Sequence, residues 1–318
     1  VRSPRHEIFM EVKIMKKTFK KRAFISAIAM LIVSAIVLTS ATYAWFSMAK
    51  RVEVESMELN VTSPEGIQIS ANTSAFTTKL TADEISGTTT TRFSAYEGNM
   101  NNIPGTLKPS SSVFATNGNL PKFFDGSIND SGRMDIYARS DVDSGFVAFD
   151  LFVKVKAETV VKFGSTKITC EGNPELPTAM RVALVNCGTV AEKADAAAIQ
   201  SVLPGTDKTK KVVYEVDAAN HTAAASALGA GGIMTTSPLK AAGLNIGTNA
   251  TYNNIVTNVT YISPLEATLA TSSSQARVTV AAGITRVRVY MWMEGNDVDC
   301  ANDVAGATLN FNLVLEID

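Results

Sequence analysis

The sequence predicts an all-β protein, an antiparallel β-sandwich with long loops and one short helix, set behind an N-terminal hydrophobic leader. Two observations carry this. Apolar and polar residues alternate with period two through most of the chain beyond residue 50. The stretches between those runs are rich in Thr, Ser, Asn and Gly, which favour turns over regular structure. Of 318 residues, the first 44 read as a targeting segment. The remainder is long enough for one large sandwich or two smaller β-layers.

In the leader, Lys16, Lys17, Lys20, Lys21 and Arg22 precede an almost unbroken apolar run from Ala23 to Leu38, closed by the small residues around Thr39–Ala44. Positive charge, apolar run and small-residue end is the order of a secretory signal. Thr42 and Ala44 place small side chains at the −3 and −1 positions of a cut before Trp45. Left uncut, Ala23–Ala44 is long enough to span the roughly 30 Å of bilayer hydrocarbon, so a membrane anchor stays open. Met15 opens a conventional leader, and residues 1–14 read as an over-extended reading frame. The chain thus divides into 1–14, a leader over 15–44, and an extracellular β-region over 45–318.

Each strand follows from its pattern. Met57, Leu59 and Val61 alternate with Glu58 and Asn60, and Ser63–Gly66 turns the chain into Ile67–Ile69. Phe149, Leu151, Val153 and Val155 form a second run. Val287, Val289, Met291 and Met293 form a third, and Leu309, Phe311, Leu313, Leu315 and Ile317 a fourth. Alternation of this length predicts strands with one face buried and the other, carrying Asp150, Arg286, Arg288, Tyr290 and Trp292, facing water. Shorter runs at Met180–Val185, Val212–Tyr214 and Val278–Ala282 add strands. The helix is expected at Val190–Leu203, where an Ala-rich stretch is stopped by Pro204 and Gly205. Residues 82–120 and 222–258 read as long excursions.

Composition narrows function. The net charge of −1 conceals a basic leader. Beyond residue 44 there are 21 basic and 28 acidic residues, a formal charge of −7, which argues against a nucleic-acid partner. Three cysteines, Cys170, Cys187 and Cys300, are too few and too odd in number for a disulfide framework, although the count allows one bridge with one thiol left over. Only His6 and His221 are present, and neither a His-Glu-x-x-His nor a Gly-x-Ser-x-Gly sequence occurs. One histidine beyond the leader cannot supply a catalytic zinc site, and His221 reads as a turn residue after the Val212–Val216 strand. No enzyme activity and no cofactor is therefore expected. Two acidic loops offer calcium-type oxygen donors, Asp125 with Asn129 and Asp297 with Asp299, but neither has the Gly and closing Glu of a calcium loop. Both read as polar turns.

The junction Ala41-Thr42-Tyr43-Ala44-Trp45-Phe46-Ser47 resembles the leader end of the TasA/camelysin-type surface proteins of Firmicutes, whose leader is removed by a signal peptidase of the SipW type. A looser similarity to clostridial surface proteins runs through Leu59–Ser70, Phe146–Val155, Met180–Leu184 and Trp292–Cys300. Met48 stands where closer members carry Asp. The resemblance implies a jelly-roll-like sandwich that polymerises into extracellular biofilm-matrix fibres, each N-terminus adding a strand to the neighbouring subunit. Members have been described as metallopeptidases, which the single His221 does not support.

The residues themselves are compatible with that assembly. A cut before Trp45 exposes Trp45, Phe46, Val52 and Val54 on an extended segment, and residues 45–54 can complete a sheet edge in another copy through main-chain hydrogen bonds. The same segment can equally be the first strand of its own domain. The expected protein is a secreted or cell-surface fibre subunit of a Gram-positive bacterium, its partners other copies of itself, the signal peptidase and matrix components. A monomeric, membrane-anchored adhesin or carbohydrate-binding module is the competing expectation. A pilin ranks below both, because no Gly precedes Phe24 and Ile28 stands where the fifth-position Glu belongs.

Overall fold

The computed structural model describes residues 52–62, 66–86, 101–113, 121–128, 134–138, 145–205, 207–223, 226, 268–294, 297, 299–300 and 307–317. All of them fall within one unit, Ala41–Asp318. Thr42, Ala44, Trp45, Phe46 and Asn129 lie outside the described residues. Among the described residues no helix is long and apolar enough to cross a membrane.

The protein is all-β. In chain order the strands are β1 (Val52–Thr62), β2 (Gln68–Ser70), β3 (Lys79–Leu80), β4 (Thr106–Leu107), β5 (Ser111–Val113), β6 (Lys122–Ile128), β7 (Met134–Ala138) and β8 (Val147–Val155). They continue as β9 (Thr159–Phe163), β10 (Lys167–Glu171), β11 (Met180–Val190), β12 (Lys211–Glu215), β13 (Thr268–Ala270), β14 (Arg277–Val280), β15 (Gly283–Met293) and β16 (Thr308–Ile317). Among the described residues two five-residue helices accompany them, α1 (Ala82–Ser86) and α2 (Ala196–Gln200).

A seven-stranded sheet runs β14-β9-β16-β1-β3, with β10 beside β16 and β4 beside β1. A six-stranded sheet runs β13-β12-β11-β15-β8-β2, and β5-β6-β7 form a small third sheet. Most pairs are antiparallel, as alternating sequences favour, but β1 lies parallel to β16 and β12 parallel to β13. The two large sheets share one apolar core. Leu59, Phe311 and Leu313 from the first belong to the same buried cluster as Leu151, Val153, Val289 and Met291 from the second. Leu59, Val61, Phe149, Leu151, Val153, Val289, Met291, Phe311 and Leu313 are buried as expected, while Ile317 at the end of β16 is half-buried.

Three expectations need correction. The helix predicted over Val190–Leu203 is shorter. β11 runs on to Val190, and α2 begins only where the Asp195 side chain accepts the Ala198 amide at 2.7 Å. The excursion after residue 82 holds α1, β4 and β5. Most consequentially, the polar phase of the second sheet does not face water. All eleven residues of β15 are buried, including Arg286, Arg288, Tyr290 and Trp292, and so are Asp150 and Phe152 on β8. The reason is a second covering layer. Asn102 pairs its backbone with Ala148 at 2.6 and 2.7 Å, and Phe123 stacks on Phe146, ring centroids 4.3 Å apart, against Tyr290 and Trp292. α2 closes the same face through Ile199, packed with Phe152 and Ile284. The three cysteines are free thiols, Cys187 and Cys300 buried.

Candidate functional site

Burying that second face obliges its charges to find partners, because an isolated ion in a low-dielectric interior is prohibitively costly. Two networks result. In the first, Asp150 on β8 lies directly across from Arg288 on β15. Arg286 Nη2 donates to Asp150 Oδ2 at 2.7 Å, and Arg288 Nη1 lies 3.4 Å from Asp150 Oδ1. Arg286 Nη1 also donates to the carbonyls of Gln200 and Val202, both at 2.9 Å, which ties the end of α2 to the sheet. Asn101 Oδ1 accepts from Arg288 and from the Asp150 amide, holding the covering segment in place. These contacts give the first network a structural role.

The second network gathers three distant parts of the chain. Arg181 on β11 is in register with Glu215 on β12, so their side chains leave the sheet side by side. Beyond β12, Ala218–Asn220 make a single 3-10 turn, held by Asn220 Nδ2 donating to Asp217 Oδ1 at 2.6 Å, and His221 and Thr222 follow it. Beyond β15, the Glu294 amide bonds the Ala179 carbonyl at 2.9 Å, and tight turns bring Asp297 and Asp299 back over the sheet.

Arg181 Nη2 meets Asp297 Oδ2 at 2.5 Å and Glu215 Oε1 at 3.1 Å, while its Nη1 donates to the carbonyls of Thr178 at 2.8 Å and Met180 at 3.2 Å. His221 spans two carboxylates: Nδ1 is 2.7 Å from Asp299 Oδ2, and Nε2 contacts Glu215 Oε1. Asp299 also accepts from Thr178 Oγ1 at 3.0 Å, the Thr222 amide at 3.2 Å and the Thr222 hydroxyl. Beside them Trp292 Nε1 donates to Glu294 Oε2 at 2.9 Å. Glu215 and Arg181 are fully buried, and the His221 side chain is only 6% exposed.

Titration behaviour follows from these contacts. Burial alone would depress Arg181, but Asp297 and Glu215 outweigh it and raise the guanidinium further. Burial pushes Asp297 up to about 6, against the pull of Arg181. Burial opposes ionisation of Asp299 as well, but hydrogen bonds from Thr222 and His221 hold it below the ordinary carboxylate value. Burial would lower His221, yet Asp299, Asp297 and Glu215 raise it above the ordinary imidazole value.

Glu215, His221 and Asp297 bring ligand-type atoms within 4.8 Å of one another. A divalent ion does not fit this set as it stands, because the Arg181 guanidinium already sits against two of the three carboxylate and imidazole groups. Calcium would need six to eight oxygens, whereas the oxygens of Asp299 are engaged by four donors from Thr178, His221 and Thr222. The cationic place is filled by protein.

Of the residues singled out from sequence, Asp297 and Asp299 join this cluster. Asp125 lies in β6 opposite Tyr137, and its proposed partner Asn129 lies outside the described residues. Val52 and Val54 lie in β1 of their own domain, Val52 opposite Leu107 on β4 and Val54 opposite Leu309 on β16. The ladder breaks register between Val54 and Ser56, which sets the first residues of β1 apart from the rest. His221 is more than a turn residue, and Arg181, Glu215 and Glu294 carried no local signal, because their partners come from segments that no spacing rule connects. No protein family, curated protein or solved structure matches the chain.

Proposed function

We propose that the chain is a non-catalytic structural protein of the bacterial cell surface, exported by its leader, and a subunit of an extracellular fibre or matrix built by strand addition. In this reading the two large sheets face each other as a jelly-roll-like sandwich, with one apolar core between them. The observation that carries the proposal is the position of β1. It is the first strand after the leader junction, it lies inside a sheet between β16 and the short strands β3 and β4, and its register breaks after Val54. A neighbour's residues 45–54 can occupy the same lane beside β16 and β4 that this chain's own Val52–Val54 occupies, with main-chain hydrogen bonds supplying the affinity. The buried polar networks support a structural role, since their charged groups are spent on one another and on backbone carbonyls.

Electron microscopy tests this. The wild-type chain processed at Trp45 forms filaments, and a chain lacking residues 45–54 remains a folded monomer. Filaments of normal form from the deletion rule out strand addition. A folded monomer in both forms supports the anchored adhesin instead.

A further inference from the structure

We propose that His221, as an imidazolium, is a base-sensitive clasp that fastens the turn leaving β12 onto Asp299 and Glu215.

A neutral imidazole has one N–H, and its other nitrogen presents a lone pair. Here both ring nitrogens face carboxylate oxygens, Nδ1 at 2.7 Å from Asp299 Oδ2 and Nε2 against Glu215 Oε1. An ionised carboxylate only accepts. Asp299 accepts from three donors besides the ring, Thr178 Oγ1, the Thr222 amide and the Thr222 hydroxyl, and Glu215 Oε1 takes Arg181 Nη2 at 3.1 Å. Two acceptors across one ring require two N–H groups. Loss of either proton turns one attraction into a lone pair set against a buried carboxylate, and that contact must open.

The charged surroundings point the same way from every side. Glu215 faces the ring from β12, and Asp299 and Asp297 from the segment after β15. Arg181 on β11 stands behind Glu215 and Asp297, and Glu294 follows directly after β15. Asp217 lies in the ring's own turn, and Lys211 is on the same phase of β12 as Glu215. The raised imidazole value agrees with this acidic majority.

The sign of the effect is fixed. A histidine whose folded pKa is raised stabilises the fold fully below its unfolded value, about 6.5, and loses that contribution as pH rises through the folded value. The clasp is therefore closed in mildly acidic surroundings, below the ordinary imidazole value, and opens as pH rises through the raised folded value. Its release has a local reporter. The Thr222 amide donates to Asp299 Oδ2 at 3.2 Å, so freeing His221 also frees the amide.

Two histidines, His6 and His221, make the test tractable on the full, nitrogen-15-labelled chain, with the His221→Gln spectrum assigning the signals. At pH 6 both ring nitrogens of His221 carry protons, and the titration midpoint lies above 6.5. Hydrogen exchange of the Thr222 amide, corrected for intrinsic base catalysis, accelerates at least tenfold across that midpoint. Asp299→Asn lowers the midpoint, which keeps the test open should His221→Gln fail to fold. A neutral ring at pH 6, or Thr222 exchange with no step at the midpoint, overturns the proposal. So does zinc chloride alone abolishing the ring titration at micromolar concentration, since a metal rather than a proton would then join His221 to Glu215.

Discussion

Replacing Arg181 with Met removes one cation and keeps most of the side-chain volume, so it isolates the electrostatic contribution of the second network. In the wild type the guanidinium holds Asp297 and Glu215 at 2.5 and 3.1 Å and two carbonyls at 2.8 and 3.2 Å, all away from solvent. Breaking a buried pair by deleting one partner costs about 3–5 kcal/mol, because the remaining charge stays desolvated. With two carboxylates stranded, the upper part of that range is expected at pH 8. Asp297 then lacks the group that opposes its rise, and its pKa climbs above the present value of about 6. A raised acid destabilises the ionised fold at high pH and recovers as pH falls through its folded value. The deficit of Arg181→Met should therefore shrink between pH 8 and pH 5. Urea denaturation followed by the fluorescence of Trp292, which is buried beside the cluster, measures it. A loss below about 1 kcal/mol at pH 8, or one that grows on acidification, would refute the buried-network argument.

Other outcomes are equally specific. Phe311, buried on β16 between Met57 and Ile168, should cost about 3–5 kcal/mol as Phe311→Ala in equilibrium unfolding, and a loss under about 1 kcal/mol would put the wrong face of β16 inside. Gly283 opens β15 with φ +121°, and a Cβ there would meet the Val190 carbonyl oxygen at 2.2 Å. Gly283→Ala should cost about 2–3 kcal/mol in thermal unfolding, and an unchanged midpoint would contradict the tight β11–β15 junction. Ala44→Arg should leave a membrane-retained precursor, read by the N-terminal sequence of the secreted protein. Secretion at normal length would place the cut elsewhere.

The strands were legible because period two is a local property. Met57–Val61, Phe149–Val155 and Leu309–Ile317 each specify which residues share a face without reference to any other part of the chain. What alternation cannot report is whether the second face is also covered. Arg286 and Arg288 look solvent-facing in sequence, and only the placement of Asn101, Phe123 and α2 shows that they are buried. The cluster at His221 was less legible still. Asp297 and Asp299 stood out as an acidic turn, but their meaning depends on Arg181 and Glu215, which join them only through the β11–β12 and β11–β15 registers. Parallel pairing of β1 with β16 was invisible for the same reason, since strand direction is set by connectivity across the whole chain.

Under the export proposed above, that parallel pair bears on how the protein would fold. Asn60 and Asn312 touch across the β1–β16 ladder although 252 residues separate them. A chain threaded across a membrane from its leader end delivers β1 early and β16 late. The centre of the seven-stranded sheet therefore cannot close until almost the whole described chain has emerged. Closure over so long a loop is slow, and until then β1 has an unpaired side. Under the proposed strand addition, an incoming strand from another copy would compete in that interval with β16's own arrival. The timing of translocation, as much as affinity, would then govern whether copies of this chain join.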